Sequence, residues 1–170
     1  MTQSPDIAPG DRDFIQSLAA VLNFAVILPI AMVSGSYGIG LWDFIFVAIG
    51  IGLTVRFIRY LSAAFQFRET HIKAEKADRF VTEGIYGRIR HPVSAALMYM
   101  NIAYVFLFRS FSLIPVVPIF CAVYYALAKA RENALIERFG DRYRNYMQTT
   151  GMFRGGSGSR ESNLSGYAIN

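Results

Sequence analysis

Two short segments of this 170-residue chain contain the residues best suited to bind a ligand or to take part in catalysis. The first segment reads Arg90-His91-Pro92. Proline is favoured in the first turn of a helix, where its missing N–H breaks no hydrogen bond. Arg90 and His91 are therefore expected at a helix N-terminus, where backbone N–H groups and the helix dipole favour an anion or an electron-rich ligand edge. The alternative is that this pair anchors the chain to lipid headgroups.

The second segment, residues 129–147, carries apolar and aromatic side chains at helical spacing. One predicted face holds Glu132, Leu135, Ile136, Phe139, Tyr143 and Tyr146. The stripe thus begins with a carboxylate, and burial of an unpaired carboxylate is unfavourable enough that a partner is expected. Two interpretations remain open: an ion pair with Lys129 one turn earlier, or a carboxylate held for a cationic partner or for ligand hydroxyl groups.

The elements that position these segments are predicted to be membrane helices. Hydrophobic residues make up 54% of the chain and charged residues 17%, against about a quarter charged in soluble domains. The composition excludes intrinsic disorder and a collagen-like chain. A single cysteine, Cys121, and two histidines exclude a disulfide framework and a zinc cluster. The net charge of +5 fits a membrane surface better than a nucleic acid, so we predict an all-α integral membrane protein with no metal and no nucleic-acid partner.

Four spans are predicted from the charge-free runs. They cover residues 14–33, 41–64, 93–108 and 111–128, followed by a cytoplasmic helix over 129–147 and a flexible Gly/Ser-rich tail over 155–170. Residues 1–154 form the single predicted domain. Pro115 and Pro118 should kink or start the fourth helix, and Ala48 and Gly52 have the spacing that lets two helices approach closely.

Lys and Arg in the loops predict the orientation. Residues 65–92 contain Arg68, Lys73, Lys76, Arg79, Arg88 and Arg90, and residues 129–160 are also rich in Arg, whereas the Gly35–Gly40 turn has no basic residue. By the positive-inside rule the two basic regions are cytoplasmic, and so are both termini. The same charges favour contact with anionic membrane lipids.

Polar residues within the predicted spans have two interpretations each. Arg56 and Arg59 either snorkel to headgroups or bind a lipid phosphate or carboxylate. Tyr99, Asn101 and Tyr104 either form hydrogen bonds between helices or line a substrate cavity.

Taken in order, the two segments resemble the isoprenylcysteine carboxyl methyltransferase and phospholipid methyltransferase superfamily of small membrane enzymes. The first block is Gly84-x-Tyr86 followed by Arg90-His91-Pro92; the second is Glu132, Leu135, Phe139-Gly140, Tyr143 and Tyr146. The resemblance covers roughly residues 81–147. It implies a cytoplasmic S-adenosyl-L-methionine site, enclosed by the loop before the third span and the helix after the fourth.

Carried over by residue, the resemblance assigns a role to each motif position. Gly84, Tyr86, Arg90, His91, Pro92 and Glu132 would contact or frame the cofactor, Leu135 and Phe139 would pack its lid, and Tyr143 and Tyr146 would close it. Arg56, Arg59 or Arg131 would orient the phosphate or carboxylate of a lipophilic acceptor. For an amine acceptor, His91 beside Arg90 is the histidine placed to act as a base.

The chain departs from the family pattern at several positions. Ser94 stands where the family has tyrosine, Ala96 where it has glycine and Arg131 where it has the first acid, and residues 149–152 replace a proline-containing end. The acceptor therefore stays open among a carboxylate, an amine and a thiol. Two other functions also stay open: an NADPH-dependent membrane reductase, and a non-catalytic accessory protein of the same fold.

Overall fold

The computed structural model describes residues 9–67 and 79–155, and in these ranges the chain is helical, with no β-strand. Its α-helices are α1 (Pro9–Ser34), α2 (Leu41–Gln66), α3 (Pro92–Phe108), α4 (Val116–Phe139) and α5 (Asp141–Thr149). Short 3₁₀ turns at Gly84–Gly87 and Phe111–Leu113 precede α3 and α4. Of the predicted tail, only Gly155 lies within the described residues. The predicted loop residues Arg68, Lys73 and Lys76 lie outside them.

Three stretches of helix are long and apolar enough to cross a bilayer, which supports an integral membrane protein. They are Ser17–Ser34, Leu41–Gln66 and Phe111–Phe139. The remaining apolar helix, α3, has 17 residues and is shorter. The predicted helices of 14–33, 41–64 and 93–108 are confirmed with slightly wider bounds, and Pro92 opens α3 as its residue type predicted.

Close helix packing occurs at Gly50, midway between the two predicted residues Ala48 and Gly52. Gly50 of α2 is buried against Leu107 of α3, and a Cβ added there would lie 2.7 Å from the Leu107 side chain. At Gly52, by contrast, no atom of the described residues lies within 4 Å of such a Cβ, and Ala48 is exposed. The prediction from Ala48 and Gly52 was wrong because the position of Leu107, rather than the spacing alone, selects the glycine that is approached.

The single helix predicted for 129–147 is two elements. Helix α4 starts after Pro115, with Pro118 in its first turn, and continues without a break through Lys129 to Phe139. Gly140, at φ +56°, then ends α4, and α5 begins at Asp141. This positive φ is easily adopted only by glycine. The turn at Gly140 sets the direction in which α5 leaves α4.

The end of the bundle where α3 stops is closed by a salt bridge that we call the Arg109 clamp, formed by Arg109, Asp43 and Gly38. Arg109 ends α3 in the left-handed conformation at φ 50° and pairs with Asp43 at the start of α2. Its Nη1 also donates to the carbonyl of Gly38 at 3.1 Å. The clamp ties the α1–α2 loop to the α3–α4 turn.

Candidate functional site

At the opposite end, where α3 begins and α4 ends, polar groups converge on one carboxylate. Glu132 has no exposed surface. Its Oε1 accepts a hydrogen bond from Arg90 Nε at 2.8 Å and lies 3.3 Å from His91 Nε2, and its Oε2 lies 3.4 Å from Lys129 Nζ. We call Glu132, Arg90, His91 and Lys129 the Glu132 cluster. The sequence left two partners open for Glu132, Lys129 one turn earlier or a cationic group from elsewhere, and both are present: Lys129 on the same helix, and Arg90 before α3.

Arg90 also fixes the chain that follows α5. Its Nη1 donates to the carbonyl of Met147 at 2.7 Å and to that of Thr150. Its backbone N–H donates to Gly151, and that of His91 donates to Met152. The two backbone N–H groups just before α3 are therefore used by the chain itself. Among the described residues, the Nη2 group of Arg90 is the part of its guanidinium left for a ligand.

The imidazole of His91 is held neutral by its surroundings. Burial lowers its pKa below the ordinary value of 6.5, and the nearby charges of Arg131 and Arg90 act in the same direction, whereas Glu132 opposes them. A neutral His91 that carries its proton on Nε2 donates to Glu132 and has a lone pair on Nδ1. The Phe153 ring lies 6.2 Å from the imidazole, so the segment after α5 partly covers it.

An aromatic group lies beside this cluster, and its central ring is Phe80. The Phe80 centroid is 5.1 Å from that of Phe139, 5.2 Å from that of Tyr143 and 5.5 Å from that of Tyr146. We call these four residues the aromatic group. Burial raises the pKa of Tyr143 to about 12, and the charge of Glu132 adds to the shift, so Tyr143 is a neutral hydrogen-bonding phenol at physiological pH.

The turn before α3 connects to the aromatic group through Tyr86. The hydroxyl of Tyr146 donates to the backbone carbonyl of Tyr86, which joins α5 to the Gly84–Gly87 turn. Gly84 has φ +59°, and a Cβ there would overlap the ring of Phe67 at the end of α2. A residue with a side chain at Gly84 would displace the turn and with it Tyr86.

The structure brings together most of the residues predicted from the sequence. Pro92 is fully buried at the start of α3, Leu135 is half-buried on α4, and the Arg131 charge acts on His91. The other two predicted arginines are on α2. Arg56 is stacked over the rings of Tyr99 and Tyr60, at 5.0 and 5.7 Å, and Arg59 is exposed one turn further along.

Sequence reasoning missed Phe80 and the segment Thr150–Phe153. Phe80 is the single aromatic residue between Phe67 and Tyr86, a weak signal in a stretch otherwise read as a charged loop. Thr150–Phe153 was read only as a departure from the family pattern, although it supplies the carbonyls that Arg90 and His91 bind. Neither contact has a local pattern, since each joins residues more than 50 positions apart.

The chemistry open to this site follows from its charges and rings. Arg90 and Lys129 contribute two positive charges, Glu132 one negative charge and His91 none, so the Glu132 cluster has an excess of positive charge that suits an anionic group. Glu132 itself has no exposed surface, so it would act on a ligand through the groups that it holds, Arg90, His91 and Lys129. The adjacent rings can stack on a flat heterocycle or face a cation.

Comparison of the chain with protein-family models, with curated proteins and with solved structures finds no match.

Proposed function

We propose that this chain is a membrane methyltransferase that transfers a methyl group from S-adenosyl-L-methionine to a lipophilic acceptor. The observation that carries the proposal is the convergence of Arg90, His91 and Lys129 on the buried Glu132, directly beside the aromatic group. Apart from Lys129 and Phe80, these residues are positions at which the sequence resembles the isoprenylcysteine carboxyl methyltransferase and phospholipid methyltransferase superfamily.

The residues present fit the chemical groups of this cofactor. Its carboxylate matches the excess positive charge of Arg90 and Lys129, which the fully buried Glu132 holds in place. Its adenine and its sulfonium both suit the rings of Tyr143, Tyr146 and Phe139. The Tyr146–Tyr86 hydrogen bond would keep these rings next to the turn before α3.

Catalysis by these residues would rest on orientation and on exclusion of water. The cofactor supplies a methyl group already activated on sulfonium, so neither a metal nor a covalent enzyme nucleophile is needed. Glu132 and Arg90 hold one side of the site in a fixed geometry because each has several partners. Tyr143 and Phe80 exclude water by packing. For an amine acceptor, Nδ1 of the neutral His91 would take the proton.

The proposal includes an orientation in the membrane. Helix α3 would form a fourth span by extending through the turns on either side of it, and the Glu132 cluster and both termini would be cytoplasmic, as the basic loops predict. A soluble cofactor would then bind from the cytoplasm and a lipid-borne acceptor from the bilayer. Arg131, next to His91, is the arginine best placed to orient an acceptor phosphate or carboxylate. Arg56 and Arg59 would bind an acceptor phosphate or carboxylate at a different position, on α2.

The test is calorimetric titration of detergent-purified protein with S-adenosylmethionine and S-adenosylhomocysteine, and with NADPH as a third ligand. Glu132→Gln removes the central charge with little change of shape. Glu137→Gln is the matched control, because Glu137 is exposed on the same helix. We expect S-adenosylmethionine and S-adenosylhomocysteine to bind to wild type and to the control variant. Glu132→Gln should bind both ligands at least about tenfold more weakly. NADPH should not bind to any of the three proteins.

Two results would overturn this proposal. Binding of NADPH without S-adenosylmethionine would favour a membrane reductase. No binding of any ligand by protein with a cooperative unfolding transition would favour a non-catalytic accessory protein. Where binding is found, incubation with methyl-labelled cofactor and lipid acceptors bearing a carboxylate, an amine or a thiol would identify the acceptor class.

A further inference from the structure

Three polar side chains are fully buried in the apolar interior between α1, α3 and α4. They are Asn23, Asn101 and Tyr124, each without exposed surface. Asn23 Nδ2 donates to Asn101 Oδ1 at 2.8 Å, so the interhelical hydrogen bond considered for Asn101 is present. One atom of each of these side chains has no partner among the described residues: Asn23 Oδ1, Asn101 Nδ2 and the Tyr124 hydroxyl. Such atoms are strongly unfavourable in the hydrocarbon region, where water is scarce.

The three side chains adjoin the same part of the interior. Phe24, Met100 and Cys121 all pack against one buried cluster formed by Ile27, Ala31, Tyr104, Leu113 and Val117. Each polar residue lies on the helix face of a member of that cluster: Asn23 is four positions before Ile27, Asn101 is three before Tyr104, and Tyr124 is seven after Val117. Side chains in a helix lean towards its N-terminus, so the Tyr124 ring leans back towards the level of Cys121. Helices α1 and α3 end, and α4 begins, at the end of the bundle that holds the Arg109 clamp, so the three polar side chains all lie on the side of the buried cluster nearer to Glu132.

The needs of these atoms are complementary to a single hydroxyl group. Asn23 Oδ1 needs a donor, Asn101 Nδ2 needs an acceptor, and the Tyr124 hydroxyl can act as either. Exchanging O and N in both amides leaves the same requirement of one donor and one acceptor. One O–H group donates to the amide oxygen and accepts from both the amide nitrogen and the phenol. A hydrocarbon satisfies none of these atoms, and a charged group would lack a counter-ion among the three.

We propose that Asn23, Asn101 and Tyr124 form a binding site for one neutral hydroxyl group inside the membrane-embedded part of the bundle. The group is either a water molecule or the hydroxyl of a lipophilic alcohol, and the two share the same hydrogen-bonding chemistry. This site is separate from the Glu132 cluster, since Tyr124 and Glu132 are eight residues apart on α4, or about 12 Å along the helix. It does not depend on the methyltransferase proposal.

The first test is the thermal unfolding midpoint of Tyr124→Phe in a non-ionic detergent. If the hydroxyl is bound through a bridging group, its removal lowers the midpoint by about 2–4 °C. If the hydroxyl is without any partner, its removal raises the midpoint, and that result overturns the proposal. The matched control is Tyr125→Phe, because Tyr125 is the next residue on α4 and is exposed; its midpoint should equal that of wild type.

A second measurement identifies the source of the hydroxyl group, using dodecanol and dodecane as probes. A rise in the midpoint with dodecanol but not with dodecane, lost in Tyr124→Phe, indicates a lipid alcohol in the site. A lowered midpoint in Tyr124→Phe without any dodecanol effect indicates water. In the double variant Asn23→Leu/Asn101→Leu the bridge is absent, so Tyr124→Phe should no longer be destabilising. If Tyr124→Phe lowers the unfolding midpoint equally in wild type and in the double variant, the phenol hydroxyl is bound elsewhere, which contradicts the proposal.

Discussion

Helix α3 has a buried arginine paired with a carboxylate at each of its ends, and the two pairs differ in what surrounds them. In the Arg109 clamp, Arg109 and Asp43 also serve as helix-end groups: Arg109 binds the Gly38 carbonyl, and Asp43 Oδ2 accepts from the N–H of Gly40 at 2.7 Å. These bonds close two loops. In the Glu132 cluster, Arg90 likewise binds backbone carbonyls, but His91 and Lys129 add groups that loop closure does not require.

The comparison teaches that a buried ion pair by itself does not mark a functional site. Buried pairs at helix ends are well explained by the backbone groups they bind. What distinguishes the Glu132 cluster is its excess of positive charge, an imidazole held neutral and four aromatic rings beside it. Matched substitutions at the two ends of α3 should therefore have different effects.

The largest difference is expected from removal of the carboxylate charge. Glu132→Gln leaves Arg90 buried without its counter-ion and should lower the free energy of unfolding by about 3 kcal/mol. Asp43→Asn should lower it by about 1 kcal/mol, because Asp43 is only partly buried, with 27% of its side chain exposed. Unfolding of both variants by denaturant titration in detergent measures the difference. Equal losses at the two ends would contradict the distinction.

The next difference is expected from Arg→Lys exchange, which keeps the charge but removes the planar fork. In Arg90→Lys one ammonium cannot bind Glu132 and the carbonyls of Met147 and Thr150 together, so we expect a loss of about 2 kcal/mol. The segment after Gly140 should also become sensitive to protease. Arg109→Lys should cost about 1 kcal/mol and leave that segment protected. Limited proteolysis with mapping of the cleavage sites distinguishes the two variants.

A smaller effect is expected from removal of one hydroxyl near each end. Tyr146→Phe breaks the bond that joins α5 to the Tyr86 carbonyl and should weaken S-adenosylmethionine binding about three- to tenfold. Tyr37→Phe removes a bond to the carbonyl of Met32 in the α1–α2 region and should leave the affinity unchanged. A titration in which both variants bind like wild type would remove Tyr146 from the proposed site.

The smallest effect is expected from pH. Burial lowers the pKa of His91 in the folded protein, so below about pH 6.5 the unfolded chain takes up a proton that the folded chain resists, and stability falls as the pH falls. Above that pH both states are neutral at His91 and its contribution is constant. His91→Gln should remove this part of the slope, as measured by the unfolding midpoint between about pH 8 and pH 5. An unchanged slope would show that His91 does not titrate differently on folding.

Local patterns predicted the helices and singled out all four residues of the Glu132 cluster, including the pairing of Glu132 with Lys129. Pro92 marked the start of α3, the charge-free runs marked the apolar helices, and helical spacing placed Glu132, Phe139 and Tyr143 on one predicted face. The break at Gly140 was missed because a single glycine is tolerated in a helix at about 1 kcal/mol. Its positive φ depends on how the chain continues into α5.

Contacts between distant parts of the chain were beyond what the sequence could show. The bonds of Arg90 to Met147 and Thr150, the position of Phe80 among three rings and the approach of Gly50 to Leu107 all depend on tertiary packing. No spacing rule relates such residues. The Arg109 clamp was missed for the same reason, since Asp43 lies in the second predicted span and Arg109 lies between the third and the fourth.

The central claim is that the ligand site lies at the Glu132 cluster and not at the Arg109 clamp. Ultraviolet crosslinking of methyl-labelled S-adenosylmethionine to the purified protein, followed by mass spectrometry of the peptides, tests it most directly. We predict label in peptides that contain residues 80–92 or 139–153, with the signal lost on adding unlabelled S-adenosylhomocysteine. Competed label confined to peptides around Asp43 or Arg109, or no competed label at all, would contradict the claim.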